Sequence, residues 1–194
     1  MKGIKNTMAT SQEYREYYNL GAFTRVVTTT SPEAQSWFDL GLIWSYAFNH
    51  EEAASCFEQA ITNDPTCAMA YGGLAYALGQ NYNKPLEAFD QTDLASTVER
   101  THAAMTNAHK HLPQTSPVEQ ALLKAWSFRY PKAEVDDPKE LPVWNEAYAR
   151  EMKLVYESFP GDLDIAALFA DSLMNLKPWG LYDLKTGQPA EGAR

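Results

Sequence analysis

Cysteine is scarce in this chain. There are two among 194 residues, Cys56 and Cys67, and no Cys-x-x-Cys pair. A disulfide framework needs more and belongs to oxidising compartments. Zinc and thiol-redox motifs need the paired spacing. Two buried or half-buried thiols in a reducing cytosol is the reading left, and it places the protein in the cytoplasm. Long apolar runs are missing as well. Nothing approaches the ~18 consecutive apolar residues of a spanning helix. Met1 to Gln12 is polar, without the apolar stretch of a secretory signal. Basic residues are few: 16 Lys and Arg stand against 25 Asp and Glu, for a net charge of −9, and they form no cluster. Such a chain repels phosphate backbones, so nucleic acid is not an expected partner, and without a spanning run neither is a membrane. The signatures of common chemistries are also absent: no Gly-x-Ser-x-Gly, no P-loop, no dinucleotide fingerprint, no His-Glu-x-x-His. What is present is ordinary for a folded domain, with 45% hydrophobic and 21% charged residues.

The positive signal is a spacing. With Ala34 as position 1, Trp37, Leu40, Gly41 and Trp44 occupy positions 4, 7, 8 and 11. Ala53, Phe57, Ala60 and Pro65 occupy positions 20, 24, 27 and 32. These are the landmarks of the tetratricopeptide (TPR) repeat, a helix pair that buries its apolar face only by stacking on neighbours. A second unit opens 34 residues later at Ala68, where Tyr71, Leu74, Ala75 and Leu78 take positions 4, 7, 8 and 11. Its register then breaks at Gly79-Gln80-Asn81-Tyr82-Asn83-Lys84-Pro85, which is loop chemistry. The expected fold is all-α: a TPR-like right-handed α-solenoid of about seven helices with an irregular second repeat.

Helix boundaries follow from capping residues. Ser31-Pro32 opens the first helix, Asn49 with Glu52 the second, and Ser116-Pro117 with Glu119 a later one. Thr92-Asp93 caps a helix from Leu94 to about His111, and Asp162 opens the last, ending near Leu176. Another runs from about Val143 to Ser158, where Tyr148, Met152, Val155 and Pro160 repeat the spacing of Ala53, Phe57, Ala60 and Pro65. Residues 1–30 are expected to be a mobile start and an extended segment held by tyrosines. Residues 31–176 form the helical domain, and 177–194 a tail with Trp179 and Tyr182 as anchors. The loop to about Asp93 carries Tyr82, Leu86 and Phe89, which favours an ordered loop packed on the fold.

The chain from about Tyr17 to Trp179 resembles a largely uncharacterised family of TPR-containing proteins of bacteria and fungi. The resemblance rests on Trp44-Ser45-Tyr46-Ala47-Phe48-Asn49-His50-Glu51-Glu52-Ala53, on Cys56-Phe57, on Asp64-Pro65-Thr66-Cys67-Ala68-Met69-Ala70 and on Gly79-Gln80-Asn81-Tyr82-Asn83. It implies the fold. Members look longer, continuing with helices that carry histidine-rich segments this chain does not contain.

Candidate sites come from positions 2, 5, 9 and 12 of each first helix, which face a concave groove. They supply Phe38, Leu42 and Ser45, then Tyr76, then Asp171, beside others such as Gln35, Met69 and Asp164. None is Lys or Arg, which disfavours a carboxylate clamp. Asn81, Tyr82 and Asn83 add polar groups and a ring at the groove's end; a tightly packed turn explains them equally. His50 beside Glu51 is the candidate for a general base or for one ligand of a divalent metal. Against that, Asn49, Glu51 and Glu52 are what a helix N-terminus favours. His102, His109 and His111 lie on one helix with spacings that suit a solvated polar face.

The expected function is a binding or scaffold module, holding a peptide, a partner protein or a small ligand in an apolar-aromatic groove. The alternative is the N-terminal half of a metal-dependent enzyme, completed by further helices or a second chain. An unpartnered last helix suggests a second chain or an oligomer there.

Overall fold

The computed structural model describes residues 10–190. Among these the protein is all-helical, with eight α-helices and no strand. They are α1 (Ser11–Tyr18), α2 (Pro32–Tyr46), α3 (His50–Asn63), α4 (Ala68–Leu78), α5 (Gln91–His111), α6 (Pro117–Arg129), α7 (Glu140–Ser158) and α8 (Leu163–Met174). None of them is long and apolar enough to cross a membrane.

The expected caps hold four of these helices. Ser31 accepts from the Ala34 amide at 3.1 Å, Asn49 from Glu52 at 3.4 Å and Asp162 from Ile165 at 3.1 Å. The Ser116 amide donates back to Glu119 at 2.8 Å. Three boundaries differ from the expectation. Helix α5 starts at Gln91, because Asp90 caps it by accepting from both Thr92 and Asp93 at 2.9 Å. Helix α7 starts at Glu140 and takes Pro142 into its first turn, where no amide hydrogen bond is lost. The third correction is α1 itself, an eighth helix inside a stretch expected to be mobile or extended. Thr10 and Glu13 form a reciprocal capping box at its start. Eight residues are too few to persist alone. Tertiary contacts hold them: the Tyr14 ring meets Trp37 at 5.3 Å, and its hydroxyl donates to Glu52 at 2.8 Å. Residues 1–9 of the expected mobile start lie outside the described residues.

Consecutive helices pack together along most of the chain: α2 on α3, α3 on α4, α4 on α5, α6 on α7 and α7 on α8. In addition α2 meets α4, and α4 meets α6. One apolar core joins these elements and contains both cysteines, which are buried and form no disulfide. Burial pushes the Cys67 thiol up to about 11, so it is inert at neutral pH. The loop after α4 is packed as expected. Leu86 is fully buried in a second cluster with Val98, Leu141 and Trp144. The tail leaves much of α8's end uncovered: Leu173, Met174 and Leu176 are all exposed, and Trp179 touches Tyr82 with ring centroids 5.6 Å apart.

Candidate functional site

The predicted groove residues come together. Phe38, Leu42 and Ser45 from α2 and Tyr76 from α4 line one cavity, with Met69, Leu122, Trp126 and Leu168 completing its apolar wall. Four helices, α2, α4, α6 and α8, therefore share a face. The space left there is about 20 Å³, room for one water. Phe38 and Ser45 are buried rather than open, and the Ser45 hydroxyl is used by its own helix, donating to the Gly41 carbonyl at 2.8 Å.

The segment before α2 contributes Arg25 to the lining of this cavity. Residues 24–29 lie across the shared face without helix or strand pairing. Val26 points out at 84% exposure and Val27 points in at 5%, the alternation of an extended path. Its main chain is gripped by side chains of the helices. The Arg25 amide donates to Asp39 at 3.0 Å, Val27 to Gln35 at 3.0 Å and Thr28 to Glu119 at 2.7 Å. Gln35 returns a bond to the Arg25 carbonyl at 2.8 Å. The Arg25 guanidinium latches onto α8. It holds both oxygens of Asp162 at 2.8 Å and Asp164 at 2.6 Å, while the Tyr46 hydroxyl donates to the other Asp164 oxygen. Thr29 ends the run on Asp64 at 2.5 Å.

Five carboxylates, Asp39, Asp64, Glu119, Asp162 and Asp164, thus receive one segment that carries a single cation. Their acidities follow from that arrangement. The Arg25 guanidinium holds Asp162 below the usual carboxylate range. Burial alone raises Asp64, but the Thr29 and Thr66 hydroxyls outweigh it and carry the group below its ordinary value. Burial raises Asp39 against the pull of Thr24, Arg25 and Gln35.

Beside this face lies a buried polar cluster. Arg129, the last residue of α6, is fully buried, and its Nη1 stands 4.0 Å from Asp171 on α8. Its Nη2 donates to the Gln80 carbonyl at 3.2 Å and its plane sits 4.9 Å from the Tyr148 ring. Its Nε and Nη1, together with His50 Nδ1 and Asn175 Oδ1, have no hydrogen-bond partner among the described residues. Buried polar atoms are paired in the great majority of cases, so four at one place are a candidate contact point for water or ligand. Asp171, predicted at the groove's acidic end, is placed here, where burial lifts its pKa above the ordinary carboxylate value despite Arg129.

No family model, no curated protein and no solved structure matches the chain. The reading of the site rests on its geometry.

His50 sits at the first turn of α3, close enough to Asp171 and Arg129 to feel both. Burial pushes its basicity below the usual value, with Asp171 pulling up and Arg129 pulling down. Glu51 is exposed on the same turn. Among the described residues no group of three or more His, Cys, Asp or Glu is placed to hold a metal ion. The remaining predicted residues have structural partners. Asn81 closes its own turn by accepting from Asn83 at 2.9 Å, and Tyr82 lies against Trp179. His102 and His109 bond the carbonyls of Tyr130 and Met105 at 2.9 and 2.8 Å.

Lowered basicity at His50 has a consequence for stability. The unfolded imidazole takes a proton near pH 6.5, while the folded one resists it. The unfolded state therefore binds more protons below that pH, and stability falls as pH drops from 7 toward 5. Replacing His50 by Gln removes this contribution. Denaturation midpoints at pH 7 and pH 5.5 are expected to lie closer together in the variant than in the unmodified protein; equal gaps would contradict the assignment.

Sequence reasoning missed Arg25 and Arg129. A signal for Arg129 existed: it follows Leu122, Ala125 and Trp126 by seven, four and three residues, which puts it on their buried stripe.

Proposed function

We infer that this chain is a TPR-like helical-repeat binding module, whose concave groove is the face shared by α2, α4, α6 and α8. One observation carries the reading. Side chains of α2 and α6 already receive main-chain amides of a segment lying across that face. This is how a groove holds an extended chain without reading every side chain. The eight landmark spacings and the meeting of α2 with α4 and α4 with α6 support the repeat assignment. The ligand is a peptide or the segment of a partner protein, and the apolar wall around Leu42 and Tyr76 is its contact surface.

The test is selection of peptides from a random displayed library on the immobilised full chain. Selected peptides are expected to compete with one another for a single site. Leu42→Lys, a change at a half-buried lining position, is expected to weaken them at least tenfold without lowering the melting temperature by more than a few degrees. Peptides indifferent to Leu42, or none selected at all, would sink the reading.

A second reading follows from one observation, the unpartnered Nδ1 of His50 beside Asp171 and Arg129. An imidazole kept neutral next to a carboxylate has the make-up of a general base. This supports an enzyme, the N-terminal half of one completed by further helices or a second chain. The neighbouring Arg129 cation argues for acid–base work rather than a divalent metal at that position.

A further inference from the structure

We propose that residues 24–29 are an exchangeable internal ligand, and that the partner they stand in for is an extended basic segment of another protein. It carries Arg at the position of Arg25 and, two residues on, an inward aliphatic side chain at that of Val27. The proposal rests on the groove reading above and names what the groove takes.

Three observations converge on it. The first is the mode of attachment. The segment makes no regular hydrogen-bonded pairing with the fold, yet amides at 25, 27 and 28 are each received by a side chain of α2 or α6. Side-chain acceptors hold any extended backbone of the right register, so the grip does not require this particular chain. The second is charge. Five carboxylates face the segment, whose one positive charge is Arg25; Arg15 of α1 also acts on Asp39. Asp162 and Asp164 sit side by side around one guanidinium, 13% exposed. A bidentate arginine–carboxylate contact is the geometry that selects a basic residue over a neutral one. The third is the space beneath. Arg25, Tyr46 and Asp164 close an otherwise apolar cavity walled by Phe38, Tyr76, Trp126 and Leu168. When the segment leaves, that wall opens to solvent and is available to a partner's apolar side chain. Along Val27 to Thr30 the segment borders an open cleft of about 430 Å³, lined also by Thr66, His111 and Gln114, which leaves room beside it for a bulkier partner segment.

The segment is covalently tied to its groove. A short tether gives it an effective concentration on the order of millimolar. A free peptide of the same sequence therefore competes poorly with it, and a partner must bind better or find the tethered copy weakened.

The experiment uses the full chain and a fluorescent peptide of the sequence Ala22–Ser31. In the unmodified protein the peptide is expected to bind weakly. Arg25→Ala weakens the tethered copy, and the peptide, which keeps its arginine, is expected to bind that variant at least tenfold more tightly. Adding Asp162→Asn and Asp164→Asn to the variant is expected to abolish the gain, as is alanine at the arginine of the peptide. The proposal fails if amide exchange at Arg25, Val27 and Thr28 stays as slow in Arg25→Ala as in the unmodified chain, since the segment is then a fixed part of the fold. It also fails if the segment loosens but the peptide does not bind; library-selected peptides that still bind would leave the groove reading standing, and their failure would remove both. Should Arg25→Ala not fold, the unmodified chain decides. Those three amides are expected to exchange by local opening, at denaturant concentrations where α3 and α4 remain closed. Exchange only through global unfolding would overturn the proposal.

Discussion

Phe57→Ala is expected to lower the unfolding free energy by about 3–5 kcal/mol, the cost of emptying a buried phenylalanine site. Its ring is 1% exposed and packs on Phe38 with centroids 5.5 Å apart. It lies between two helices that come close because each offers a glycine. A Cβ at Gly41 would stand 2.7 Å from the ring, and one at Gly73 only 2.4 Å. Those distances leave no room for any side chain on either wall, and the rigid helices on both sides prevent collapse once the ring is gone. The vacated space adjoins the groove cavity, which Phe57 also lines. Urea denaturation measures the loss. Phe57→Leu should cost clearly less, and a loss under about 1 kcal/mol for the alanine variant would contradict this packing.

Arg129→Met is expected to cost about 3 kcal/mol, the scale of breaking a buried charge pair by removing one member. The methionine fills much of the volume against Tyr148, so the loss reports charge rather than a void. Asp171 is left without that cation, and its raised pKa moves higher still. The sign of the pH dependence follows. A carboxyl that holds its proton more tightly when folded stabilises the fold at low pH, and that contribution is lost as pH rises through the folded value. Relative to the unmodified protein, Arg129→Met should therefore do better at pH 5 than at pH 7. Adding Asp171→Asn should restore most of the loss at pH 7. A double variant as unstable as the sum of the two singles would show that the two residues do not act as a pair.

The helical frame was largely legible. Ser31-Pro32, Asn49, Ser116 with Glu119 and Asp162 stand at helix starts because short polar side chains satisfy free amides there, and that chemistry is local. The first helix was not foreseen, although Thr10 and Glu13 spell a capping box, because its persistence depends on Tyr14 reaching Trp37 and Glu52. Phe38, Leu42, Ser45 and Tyr76 were placed on one face by repeat position alone, and they do line one cavity. What covers that cavity was not legible. Arg25 meets Asp162 across 137 residues and Thr28 meets Glu119 across 91, and no periodicity connects such positions. The opposite exposure of Val26 and Val27 is set by that placement and is not written in two adjacent valines. The absence of Lys or Arg from the groove positions disfavours a carboxylate clamp. The basic groups arrive instead from the segment before α2 and from the end of α6, where they meet Asp162, Asp164 and Asp171.

The most direct test of the groove is a crystal structure of the full chain bound to a library-selected peptide. The account predicts a peptide lying extended over α2, α4, α6 and α8. Its amides should rest on Gln35, Asp39 and Glu119, with a basic side chain at Asp162 and Asp164 and residues 24–29 displaced. A peptide bound elsewhere, with Arg25 still latched to α8, would contradict it.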